Sequence, residues 1–120
     1  MPLLDETARG VYVIAATPFT DDGALDLASA EKMTDFYLER GADGLTLLGV
    51  MGEAPKLTLA ESVAFVRCVC ARVGGRVPII VGVSAAGLKP MRELATAAME
   101  AGAAGVMVAP PGHLRSDDQI

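Results

Sequence analysis

Two glycines bracket a pair of apolar residues in Gly49-Val50-Met51-Gly52, and a carboxylate, Glu53, follows directly. The apolar run ahead of them makes this segment the end of a buried strand that breaks into a tight loop. Glycine at 49 and 52 permits backbone conformations closed to other residues, and it lets main-chain N–H groups approach whatever sits above the strand. A loop of that kind can hold a small anion. Glu53, an acid between a strand and a capped helix, is read as accepting hydrogen bonds from neighbouring loop N–H groups rather than as a general base. The Met51 side chain is read as pocket wall. Thr17, at the end of another apolar run, has two open readings: it orients a site hydroxyl or lysine, or it caps its own turn.

The remaining chemical candidates are weaker. A catalytic lysine must be desolvated to lower its pKa. Lys32 and Lys89 fall on or beside helices, and Lys56, in the loop beside Glu53 and Pro55, has no apolar pocket evident around it. His113, the sole histidine, lies in a polar loop without a second ligand in view, so no metal site is expected. Arg115 reads as a solvated loop arginine. Cys68 and Cys70 stand two apart on a helix, where such neighbours point away from each other, and they are expected as buried free thiols in a reducing cytoplasm.

The elements that must position the loop follow from periodicity. Val11 to Thr17 is a nearly continuous apolar run stopped by Pro18, the pattern of a strand buried on both faces. Asp26 suits an N-cap for a helix carrying Ala30, Met33, Phe36, Tyr37 and Arg40 along one side, with Gly41 as its stop. Gly44 to Leu48 is a second strand. Thr58-Leu59-Ala60-Glu61 has capping-box form and opens a helix with the stripe Leu59, Val63, Val66, Cys70 and Val73, ended by Gly74-Gly75. Pro78 to Gly82 is a third strand, followed by the loop Ser84–Gly87. Pro90 then suits the first turn of a helix whose Met91, Leu94, Ala98 and Ala101 face inward. Gly105 to Ala109 is a fourth strand, and Ser116-Asp117-Asp118 caps the beginning of a fourth helix.

Composition bounds the rest. Of the 120 residues 52% are hydrophobic and only 4% aromatic, so a core is affordable but must be built from aliphatic side chains. A net charge of −5 without any basic stripe excludes nucleic acid as a partner. No segment approaches the roughly 18 apolar residues of a membrane span, and no basic leader precedes a long apolar block. A soluble, cytoplasmic protein is expected.

The stretch Gly41–Gly49 echoes Gly102–Pro110, which amounts to two units of roughly thirty residues. Strand and helix alternate as β-α-β-α-β-α-β with parallel pairing. This suits an open doubly wound sheet or half of an eight-stranded barrel, which usually needs about 250 residues. Ala16-Thr17-Pro18-Phe19 stands where a dinucleotide site would place its glycine turn, so no nucleotide cofactor is expected. The half-barrel is favoured: an α/β fold in which residues 1–120 form the N-terminal half of one (β/α)8 TIM-barrel domain, its first four β/α units. Its unpaired edges then require either a longer polypeptide or association.

Four motifs in order carry a resemblance over almost the whole chain. Thr17-Pro18-Phe19, the loop Gly49–Glu53 with Leu57 and Glu61 behind it, Pro78–Val83 and Gly102–Pro111 resemble the N-terminal half of the dihydrodipicolinate synthase and N-acetylneuraminate lyase superfamily. The resemblance implies a class I aldolase-type lyase, commonly a homotetramer, in which a lysine on a later strand forms a Schiff base with pyruvate or a related 2-keto acid. It further implies that Gly49, Val50, Met51 and Gly52 hold the substrate carboxylate, with Thr17 and Glu53 in support. No cofactor is implied, and the Schiff-base lysine would lie beyond Ile120. Val50 and Met51 occupy positions that are usually hydroxyl residues in the family, and Pro111-Gly112 replaces a tyrosine pair of the synthase. Both departures imply a specificity other than the synthase's own. The alternative, from another class, is a non-catalytic ligand-binding or assembly module.

Overall fold

A computed structural model describes residues 2–120. Its sheet has four parallel strands, β1 (Tyr12–Ile14), β2 (Gly44–Leu47), β3 (Ile79–Gly82) and β4 (Gly105–Met107), in the spatial order β1-β2-β3-β4. Between them run α1 (Leu27–Glu39), α2 (Leu59–Val73) and α3 (Leu88–Glu100). Strand order decides between the two architectures left open by periodicity. A doubly wound sheet reverses its order at a switch point, whereas here each crossover advances to the next strand in the same direction. The helices therefore form one layer, α1 on α2 and α2 on α3. This is half of a (β/α)8 barrel.

The register shows which side chains face which way. Ile14, Thr46, Ile80 and Gly105 pair in one row on the inner face, while Leu47, Val81 and Val106 pair in a row facing the helices. The core lies between sheet and helices, where Leu45, Leu47, Phe65, Val66, Val69, Val73 and Val81 are completely buried. Each contributes about 1.5–3 kcal/mol, and aliphatic residues supply nearly all of it. No helix among the described residues is long and apolar enough to cross a membrane.

The sequence expectations fail in instructive places. The first strand is not buried on both faces: Val11 and Ile14 are 68% and 49% exposed, because β1 is an edge strand and its inner face looks into an open half-barrel. On α1 the expected inward residues Phe36 and Arg40 are exposed and stack on each other, guanidinium over ring at 5.2 Å. Thr34 is buried instead, its hydroxyl donating to the Ala30 carbonyl at 2.8 Å. On α2, Phe65 and Val69 join Val66, Cys70 and Val73 in the core, since this helix packs against both neighbouring helices and its buried residues share one cluster with those of β2 and β3. Cys70 is buried, Cys68 only half so, and both are free thiols. At the expected beginning of a fourth helix, Ser116 precedes a single 3-10 turn, Asp117–Gln119, as its N-cap residue.

Helix starts follow the sequence more closely. Asp26 caps α1 by accepting the Ser29 N–H at 3.0 Å. At α2 the Thr58 hydroxyl accepts the Glu61 N–H at 3.1 Å while the Glu61 carboxylate accepts the Thr58 N–H at 2.9 Å. Gly74 ends α2 in the left-handed conformation at φ 60°.

Candidate functional site

The loop after β2 is built by an unexpected residue. Leu48 adopts φ 58° and Glu53 φ 53°, both left-handed, so that the segment between them folds back over the strand end. No local signal in the sequence marks a leucine for that conformation. Its enabling partner is Gly82 at the end of β3, where a Cβ would run into the Leu48 carbonyl oxygen. Gly52 is confined less severely: a Cβ there would lie 3.2 Å from the Ala15 carbonyl oxygen and from Leu48 backbone atoms.

Inside the loop, the Gly52 N–H donates to the Gly49 carbonyl and the Glu53 N–H to the Val50 carbonyl, each at 3.1 Å. The N–H groups of Val50 and Met51 donate to no acceptor among the described residues. Gly49 and Gly52 are buried, while Val50 and Met51 are 92% and 64% exposed. Two free main-chain donors on adjacent residues, held between glycines, form an arrangement suited to an anion.

Thr17 reaches the loop. Its hydroxyl, 5% exposed at residue level, donates to the Gly52 carbonyl at 2.6 Å. Glu53 does not accept loop N–H groups as expected; its carboxylate takes the Lys56 ammonium at 2.5 Å on an exposed 3-10 turn, Ala54–Lys56. The left-handed backbone at Glu53 turns its side chain outward toward solvent and Lys56. Lys32, Lys56 and Lys89 are all exposed, so no lysine here is desolvated for imine chemistry. His113 and Arg115 lie exposed in the C-terminal segment.

Beside the loop opens a cleft of about 720 Å³, lined by residues including Gly49, Val50, Leu57, Leu94, Met107 and Val108. It lies at the carboxyl ends of β2, β3 and β4, where a barrel places its site. Met51, 64% exposed, is not among the residues that line this cleft. Sequence reasoning passed over Ser84, whose hydroxyl accepts the Ala109 N–H at 2.8 Å and ties the β3 loop to the end of β4. The signal was available in a hydroxyl two residues after a strand-ending glycine.

Three comparisons bear on this geometry. The chain is 40% identical over 105 residues to 4-hydroxy-tetrahydrodipicolinate synthase of Thiobacillus denitrificans, an alignment covering 87% of this chain and 36% of that protein. It is 37% identical over 105 residues to L-2-keto-3-deoxyarabonate dehydratase of Azospirillum brasilense, covering 88% and 34%. Its fold superposes with a TM-score of 0.93 on the crystal structure of dihydrodipicolinate synthase from Rhodopseudomonas palustris, at 50% identity over 99% of this chain and 39% of that one. The chain thus spans little more than a third of the proteins it resembles. Residues 7–117 match the model of the dihydrodipicolinate synthetase family, and with the parallel half-barrel and its loop after β2 already in place, the chain belongs to that family.

Proposed function

We propose that this chain is the N-terminal half of a single TIM-barrel domain in a class I aldolase-type lyase that acts on pyruvate or a related 2-keto acid through a lysine Schiff base. The observation that carries the reading is the pair of free N–H groups at Val50 and Met51, held above the end of β2 between two confined glycines. A keto acid presents a planar carboxylate, and charge-assisted bonds from such N–H groups are about twice as strong as neutral ones. Gly49, Val50, Met51 and Gly52 hold the carboxylate in this reading, Thr17 and Glu53 support the loop, and no metal takes part. The imine-forming lysine comes from a strand outside this stretch, since the lysines here are exposed on helices or paired with Glu53. Its iminium serves as electron sink for making or breaking the adjacent bond.

The specificity differs from that of the family's namesake. Val50 carries no hydroxyl for a proton relay, and Pro111-Gly112 offers no phenol. Comparable identity to a synthase and to a keto-acid dehydratase, 40% and 37%, leaves the choice of activity to such positions. The working form is a cytoplasmic homo-oligomer, a tetramer by family resemblance.

Borohydride reduction of the full-length protein with pyruvate and a panel of other 2-keto acids tests the reading. The expected result is one covalent adduct by intact mass, mapped to a lysine other than Lys32, Lys56 or Lys89. Absence of any adduct across the panel removes the Schiff-base mechanism and favours the non-catalytic binding module.

A further inference from the structure

We infer that Thr17 is a positioning residue: through the Gly52 carbonyl it sets the direction of the Val50 and Met51 N–H groups, and so the affinity for the carboxylate, without touching a reacting atom. This rests on the carboxylate-binding reading of the loop.

The loop's own bonds, Gly52 N–H to Gly49 and Glu53 N–H to Val50, close a turn but fasten it to nothing else. Among the described residues, the Thr17 hydroxyl makes the one hydrogen bond that ties Gly49–Gly52 to another part of the fold. Its anchor is firm. The Ala15 N–H donates to the Thr46 carbonyl at 2.9 Å, carrying the β1–β2 ladder past Ile14 toward Thr17. Gly52 leaves little space on its Cβ side, where an added carbon would lie 3.2 Å from the Ala15 carbonyl oxygen and the Leu48 backbone.

The hydroxyl has a single proton. Donated to Gly52, it is not available to a carboxylate, which only accepts. Of the two open readings of Thr17, the cap of its own turn is set aside, because its proton goes to the Gly52 carbonyl 35 residues on; the hydroxyl works through the Gly52 peptide, with only its lone pairs left for a site hydroxyl or lysine. Rotation of that peptide would swing the adjoining Met51–Gly52 segment and move the free donors with it. A group that sets carboxylate binding equally in ground and transition states alters KM and leaves kcat nearly unchanged.

The test compares Thr17→Val, which keeps the shape and removes the donor, with Thr17→Ser, which keeps the donor, in the full-length protein. Two readouts are taken: hydrogen–deuterium exchange at the Gly52 and Glu53 amides, and the kinetics of pyruvate turnover. Thr17→Val is expected to speed exchange in the loop and raise KM roughly tenfold, the equivalent of about one hydrogen bond, with kcat within about twofold. Thr17→Ser should match the parent in both. Unchanged loop exchange in Thr17→Val, or equal damage in Thr17→Ser, overturns the proposal. A fall in kcat at constant KM also overturns it, since that marks a group acting on the transition state. If neither parent nor variants bind or turn over any 2-keto acid while Thr17→Val alone loosens the loop, the positioning role holds and the carboxylate reading is what fails. Should Thr17→Val not fold, Thr17→Ala carries the same readouts.

Discussion

Gly82 and Leu48 meet where two strands end, and the path of the chain at Leu48 needs a residue without a Cβ at 82. The Leu48 carbonyl occupies the space a Cβ at 82 would need. Because the obstructing atom is backbone, Gly82→Ala cannot be accommodated by a side-chain rotation. Overpacking of this kind typically costs about 1–3 kcal/mol, and urea denaturation should show it as a lower midpoint at unchanged slope. Gly112→Ala is the matched control, with nothing within 4 Å of the new Cβ, and it should stay within about 0.5 kcal/mol of the parent. The position of the loop was legible from Gly49 and Gly52, but not their reason for being glycine: neither is left-handed, that conformation falling on Leu48 and Glu53, and what Gly52 supplies is the absence of a Cβ beside the Ala15 carbonyl and the Leu48 backbone. The left-handed Leu48 was not legible, since a β-like apolar run hides a single residue that the neighbouring strand forces to turn.

At the scale of the element, α2 carries the site's far wall and shows what local code can and cannot state. Its start was legible in Thr58 and Glu61, whose reciprocal bonds need only residues within one turn. Thr58→Ala removes one half of that box and should lower stability by about 1 kcal/mol, visible by thermal or urea unfolding, with the fold and the loop above it retained. Its buried surface was only partly legible. The stripe read from periodicity assumes one covered side, and Phe65 and Val69 lie outside it yet are fully buried. They are covered because α2 is the middle helix, with α1 on one flank and α3 on the other. The same reasoning explains Phe36 on α1, where an outer helix leaves a flank uncovered and an aromatic ring ends up under Arg40.

Across the whole molecule, the half-barrel leaves β1 and β4 each with a free edge and the inner face open. Val11, Ile14, Val106, Met107 and Val108 are 40–68% exposed as a result. Unpaired edges flanked by apolar side chains template further pairing. Residues 1–120 expressed alone should therefore self-associate, seen as concentration-dependent sedimentation, and Ile14→Lys with Val106→Lys should reduce it. A concentration-independent monomer would show that these edges are blunted in some other way.

Some features depend only on residues near one another in the chain, and these the sequence determined by itself: the alternation of strands and helices, the capping box at α2, the glycine-bracketed loop after β2 and the motifs of the family. The tertiary structure decided what needs elements to meet. Strand order made the sheet half a barrel rather than a doubly wound one, Gly82 made room for the Leu48 turn, and Thr17 was brought to the Gly52 carbonyl from 35 residues away. Burial and hydrogen bonding depend on what lies opposite in space, and no local pattern records that.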